Sequence, residues 1–216
     1  MSMKKGNINK RIRKEKINQK EMTLSLHRTE ALFDGILAIA MTLLVLDIKI
    51  PNSESITNSM EFLQTLKDMH LTFIKYFTSF FILASIWIAN NRELHFLEKT
   101  DHTHMWLNMY CMFFIVLIPF TTSVQDDFSS IPFAIIIFHL NIFFVELFIL
   151  LRWLYLKGHQ SLIKKGFENE RLLKKQIHQA IIFVIITLIA VVSTYLIHEY
   201  SNLLYLLFFI TRKMQA

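Results

Sequence analysis

Apolar residues in this chain gather into long runs separated by short polar stretches, at a spacing that suits helices crossing a bilayer. Six runs stand out, at roughly 30–49, 71–91, 105–124, 131–154, 178–197 and 201–212. A helix needs about 20 apolar residues to cross the hydrocarbon core, where only internally closed backbone hydrogen bonding survives. The sixth run (SNLLYLLFFITR) is short, which suits a tilted or partly interfacial placement. The pattern predicts an all-α polytopic membrane protein with six transmembrane helices per subunit. Pro119 falls near the outer end of the third run and Pro132 opens the fourth, where proline's missing N–H costs little. Residues 56–69 place apolar side chains at helical spacing and predict a short helix on the outer face. Residues 157–177 read as a basic amphipathic linker. No low-complexity tract or soluble domain interrupts the runs, and the lack of an obvious 3+3 repeat weighs against an inverted-repeat transporter.

Charge then sets the orientation. Nine Lys and Arg precede the first helix core, two fall in 92–104, seven in 152–176, and Arg212 and Lys213 follow the last run. The other side keeps Lys49 and Lys67, with Lys75 just inside the second helix. This positive-inside asymmetry predicts a plasma-membrane protein with both termini cytoplasmic, and it requires an even number of crossings. Residues 1–27 read as a basic cytoplasmic tail and 28–216 as the six-helix transmembrane domain. No apolar core follows the basic stretch of the tail, so a cleavable signal peptide is not expected. The net charge of +6 thus tracks membrane sides and gives no reason to invoke nucleic acid. A composition that is 53% hydrophobic, with 20 Phe, agrees with burial in lipid. The single cysteine, Cys111, excludes an intrachain disulfide and multi-cysteine metal sites, and its apolar surroundings predict a packed thiol.

Polar side chains inside a membrane are costly, so each is a functional candidate. The first helix is densest in them: Arg28 and Glu30 at its cytoplasmic mouth, Asp34 about one turn into the membrane, Thr42 deeper, and Asp47 at the outer interface. For Asp34 two readings stand, a buried carboxylate satisfied by neighbouring helices or a group in direct contact with ions. Ile39, Thr42, Leu43 and Leu46 share one stripe at spacings of three and four. Around an axis shared by several subunits, this stripe would make a narrow apolar constriction with one hydroxyl layer, able to dehydrate ions. A lipid- or core-facing stripe is the ordinary alternative. In the fourth run His139 and Glu146 share a face and Asn141 points elsewhere, which fits a proton-sensing pair or static interhelical hydrogen bonds. His102 and His104 read as solvated loop histidines, with Asp101 the only nearby carboxylate and too few ligands for a metal. No Gly-rich phosphate loop, HExxH or GxSxG appears, so no enzyme and no cofactor is expected. A TVGYG-like filter is missing as well, which leaves any ion selectivity to side chains.

Three stretches carry a combined signal: Arg28-Thr-Glu-Ala-Leu-Phe-Asp34 running through Thr42 to Pro51, Ser79-Phe80 through Trp87-Ile-Ala-Asn90-Asn91-Arg92, and Trp106-Leu107-Asn108 followed by Pro119-Phe120-Thr121-Thr122. In order and spacing they resemble the transmembrane-protein-175 family, the endolysosomal potassium channels and their prokaryotic six-helix relatives. The likeness covers about residues 28–124. The family's Phe-Ser-Asp signature stands here as Leu32-Phe33-Asp34, and its usual histidine as Asn90, which implies a rebuilt polar network behind the first helix. The resemblance implies a homotetramer with a pore lined by the first helix, narrowest at Ile39, with Thr42 next to it and Leu43 and Leu46 continuing the wall. It further implies that Arg28, Asp34, Trp87, Asn90 and Asn108 support that helix from behind.

The function expected is therefore a passive, potassium-permeable channel for monovalent cations, working in a lipid bilayer, with no metal beyond the permeating ions. Two other classes stay open: a proton-coupled transporter using Asp34, His139 and Glu146, and a non-transporting membrane scaffold.

Overall fold

In a computed structural model, which describes residues 26–50, 56–166 and 170–205 (backbone alone at Glu199), five helices are long and apolar enough to cross a bilayer. They are α1 (Leu26–Leu46), α3 (His70–Phe96), α4 (His102–Asp127), α5 (Pro132–Gly158) and α6 (Glu170–Ile197), matching the first five predicted runs. The short helix predicted between the first two is α2 (Ser59–Asp68). Asn58 caps it by accepting from the N–H groups of Met60 and Glu61, and none of its residues is buried. The predicted sixth run begins as a 3₁₀ helix (His198–Tyr205), and residues 206–212 lie outside the described residues. So does most of the basic tail.

The helices reach past the apolar runs because polar ends find partners. Asp101 caps α4 through the His104 N–H, and Pro132 sits in the first turn of α5, where its missing donor is not needed. Pro119 lies inside α4, yet the helix continues. The hydroxyls of Thr121 and Thr122 donate to carbonyls one turn back, at Leu117 and Ile118, keeping nearby polar groups paired where lipid offers none.

α5 is the most enclosed of the five and packs chiefly between α4 and α6. Cys111 of α4 is fully buried against it, with Sγ 3.8 Å from the Val145 carbonyl, a packed thiol as predicted. After α6, His198 adopts a left-handed backbone (φ 46°) and turns the chain back towards α5. There the buried His139 ring bonds Tyr205 Oη and Ser201 Oγ, both at 2.8 Å. Ser201 already donates to the His198 carbonyl, so His139 donates from Nε2 to Ser201 and accepts from Tyr205 at Nδ1. Asn202 donates to Gln125 of α4, closing this end of the bundle. At the opposite end, the 159–164 loop pairs with the α3–α4 connection: an isolated antiparallel bridge joins Leu97 and Ile163.

α1 is two-sided. Leu26, Thr29, Phe33, Leu37, Ala40 and Leu44 are buried, at spacings of three and four. Arg28, Leu32, Gly35, Ile39, Thr42 and Leu46 run down the opposite side at the same spacing and are exposed. Leu37→Ala is expected to destabilise the bundle by about 2–3 kcal/mol, low in the usual range because lipid does not penalise exposed methyls as water does. Thermal unfolding in detergent reads this, and an unchanged midpoint would contradict the packing.

Candidate functional site

The exposed side of α1 presents Ile39 (61% exposed), Leu43 and Leu46 (70% exposed) as a continuous apolar strip. Thr42 sits within it, and its hydroxyl donates to the Ile39 carbonyl at 2.8 Å. The hydroxyl proton is therefore spent inside the helix, and the oxygen lone pairs are left facing outwards. Gly35, one turn below Ile39, meets nothing within 4 Å of where a Cβ would stand, so no neighbouring side chain covers the strip there. Arg28 lies exposed at its foot.

Behind the strip, one turn of α1 is tied to two other helices. Trp87 of α3 donates from Nε1 to Asp34 Oδ1 at 3.0 Å. Phe33, one residue earlier, points into the core, where the Arg152 guanidinium carbon of α5 lies 5.7 Å from its ring centroid. Asn90, on the same side of α3 as Glu93, is buried, and its Nδ2 has no hydrogen-bond partner among the described residues.

Arg152 belongs to a buried polar network. It donates to Glu93 Oε2 of α3 at 2.6 Å and to Asn108 Oδ1 of α4. The other Glu93 oxygen meets His104 Nε2 at 2.8 Å, while His104 Nδ1 faces Thr100 Oγ1 at 3.0 Å. Glu93, His104 and Arg152 are each at most 2% exposed. A carboxylate shared between two donors and a guanidinium held on two edges satisfy most of the network's bonding capacity, which lets it persist in a low-dielectric interior. Asp101 extends it outwards by accepting from Tyr155 Oη at 2.6 Å.

Two sequence expectations need correcting here. His104 is not a solvated loop histidine: it lies in the first turn of α4, 1% exposed, pointing at Glu93. Its neighbour His102 does face outwards and stacks on Trp106. Arg152, counted with the cytoplasmic charges, is fully buried. Glu93 was missed because the predicted second span stopped at residue 91. The available signal was Arg152 itself, an arginine inside a predicted span with no partner assigned. The structure also separates two candidates: His139 bonds the segment after α6, while Glu146, buried on the same face of α5, lies two turns further along. Asn141 points elsewhere, donating to the Phe114 carbonyl and Thr121. Among the described residues no group of three or more His, Cys, Asp or Glu is placed to hold a metal ion.

Burial pushes the Asp101 carboxyl up, but the hydrogen bonds from Tyr155 and from the His104 N–H outweigh it and hold the group below the ordinary aspartate range. A lowered value means the stabilisation is complete above the ordinary range and is lost as pH falls through the lowered one. Asp101→Ala is expected to cost about 1 kcal/mol at neutral pH and to flatten the acid side of the stability profile. Thermal midpoints across an acid series check both, and an acid limb as steep as the parent's would count against this cap.

Comparison with known proteins places these features in context. The family model for the endosomal/lysosomal potassium channel TMEM175 matches residues 28–119. A potassium channel of Chamaesiphon minutus is 30% identical over 105 residues, 49% of this chain and 51% of the relative. The endosomal/lysosomal proton channel TMEM175 of Danio rerio is 28% identical over 189 residues, 84% of this chain and 35% of that protein. The chain thus spans about half or less of the length of these curated relatives. In fold, it superposes on the crystal structure of a lysosomal potassium-selective channel TMEM175 homolog from Chamaesiphon minutus with a TM-score of 0.75 at 19% identity, covering 89% of this chain and 99% of that one. A variant of the potassium channel MtTMEM175 aligns with a TM-score of 0.56 at 16% identity, covering 87% and 92%. Through residues 28–119, which hold the two-sided α1 and the Trp87, Glu93 and Asn108 behind it, the chain is similar to the TMEM175 family.

Proposed function

We propose that this chain forms a passive, potassium-permeable cation channel, as a homotetramer in the plasma membrane with both termini cytoplasmic. The observation that carries the reading is the outward strip of α1, an apolar seam at heptad spacing on a helix whose other side is already packed. Copies of that seam around an axis would enclose a path narrowest at Ile39, with Leu43 and Leu46 continuing the wall. The bacterial relatives named as potassium channels support it.

Conduction then follows from side-chain chemistry. A ring of isoleucines offers no dipoles to replace hydration water, so it opposes ion passage by dewetting unless it is wide enough to stay wet. The Thr42 oxygens, their protons donated to the Ile39 carbonyls, present lone pairs that stabilise a partly dehydrated cation just beyond the ring. A single hydroxyl layer supplies fewer oxygens than a carbonyl cage, so potassium is preferred over sodium only modestly. Asp34, Trp87, Asn90 and Asn108 support the helix from behind, and Arg28 stands at the cytoplasmic mouth.

The test is flux through liposomes holding purified protein, comparing potassium, sodium and protons. Ile39→Asn is expected to raise cation flux about tenfold, the effect of lowering a barrier by about 1.4 kcal/mol, and Thr42→Ala to reduce the preference for potassium. Conductance and selectivity untouched by both changes would remove this wall from the path. Saturable flux that needs a pH gradient and is abolished by Glu146→Gln would instead assign a proton-coupled carrier. Clean protein that moves no ion would point to a scaffold.

A further inference from the structure

The buried network at the end of the bundle does more than satisfy its own charges. Glu93 and Arg152 could be replaced by apolar residues at little cost to stability, since desolvating such a pair offsets most of its attraction. What an apolar pair could not do is present a fixed positive charge to an aromatic ring. Arg152 is held on one side by Glu93 Oε2 and on the other by Asn108 Oδ1, so α3 and α4 both constrain where its guanidinium lies. His104 in turn fixes the second oxygen of Glu93. The one α1 side chain that this guanidinium meets in a cation–π contact among the described residues is Phe33, 1% exposed. The next residue, Asp34, is the one Trp87 holds. Two consecutive residues of α1 are therefore gripped by different helices, one and a half turns below Ile39.

We propose that Arg152 is a positioning residue for α1: it grips Phe33 and thereby sets the rotation and height at which Ile39 and Thr42 face outwards. This deepens the channel reading and rests on it for its consequence in conduction. The grip is short-ranged and directional. A cation within about 6 Å of a ring face is attracted by the ring quadrupole, most strongly where both are desolvated. Loss of the ring's π face, with a large apolar side chain kept, leaves α1 packed yet free to turn.

The experiment uses full-length protein in liposomes and in detergent, with Phe33→Leu as the change that keeps a large apolar side chain but removes the ring. Removing one buried charge would strand the other, so the network is probed with the double change Glu93→Gln/Arg152→Gln. Two readouts are taken: the potassium-to-sodium permeability ratio, and hydrogen exchange at α1 amides with α4 and α5 as internal controls. Phe33→Leu is expected to shift the ratio and to speed α1 exchange by about thirtyfold, the size of a desolvated cation–π contact, with assembly on size exclusion unchanged. The double change should do the same, and the two combined should do no more than either alone. Folded, assembled Phe33→Leu protein with parental ratio and parental α1 exchange overturns the proposal, as do additive effects. If the double change fails to fold, Phe33→Leu decides alone. If the parent protein conducts no cation, the channel reading falls, and α1 exchange still judges the grip.

Discussion

The interior of this bundle is governed by one constraint: a charge taken out of water must be met by partners fixed in place, and in lipid no solvent can step in if they move. Glu93, Arg152, His104 and Asn108 meet it together, at the end of the bundle where α3, α4 and α5 converge. None of the three charged or titratable members would be tolerated alone at this depth, so their presence fixes the register of three helices at once. The opposite end uses a milder version of the same rule. Lys75 meets Asp126 at 3.0 Å, Asn202 meets Gln125, and His139 joins α5 to the turn after α6. Between these two polar clamps the helices pack chiefly through apolar contacts, with Glu146 buried among them.

That division explains why α1 differs from its neighbours. It carries one packed stripe and one bare stripe, both largely apolar, and its ties to Trp87 and to Arg152 fall on adjacent residues near its foot. Among the described residues, its far half is held by apolar packing alone, through Leu37, Ala40 and Leu44, which fixes its depth less tightly than a polar tie. A wall that must be narrow enough to dehydrate an ion, yet yield to it, suits such mounting. The Thr42 hydroxyl, bonded back to Ile39, keeps its donor inside the helix without help from any other helix.

Much of the fold was legible in the sequence because hydrocarbon imposes a length and forbids open backbone. Runs of apolar residues therefore mark helices with few alternatives, and the short α2, the packed Cys111 and the first-turn Pro132 followed from local chemistry. Less legible was which side of an apolar helix packs. Phe33, Leu37, Ala40 and Leu44 read no differently from Ile39, Leu43 and Leu46 until the structure separates them. The buried network was missed for a different reason. Hydropathy stops at the first charges, so Glu93 fell outside the second predicted span; Arg152, though inside the fourth, was counted with the cytoplasmic charges, and His104 was read as a solvated loop histidine, although their pairing across α3, α4 and α5 is what allows all three to be buried. Within the departures from the family pattern, Phe33 reads differently once Arg152 is beside it: an aromatic ring occupies the place of a hydroxyl, and a cation faces it.

Everything functional turns on several copies of α1 facing one another across a common path. The most direct measurement is an electron-microscopy reconstruction of the full-length protein in lipid nanodiscs, reading the symmetry and the helix nearest the axis. Expected is a fourfold assembly with Ile39 of α1 closest to the centre and Thr42 one layer away. A particle that places α1 against the lipid, with Ile39 far from any symmetry axis, would contradict the channel while leaving the bundle described here intact.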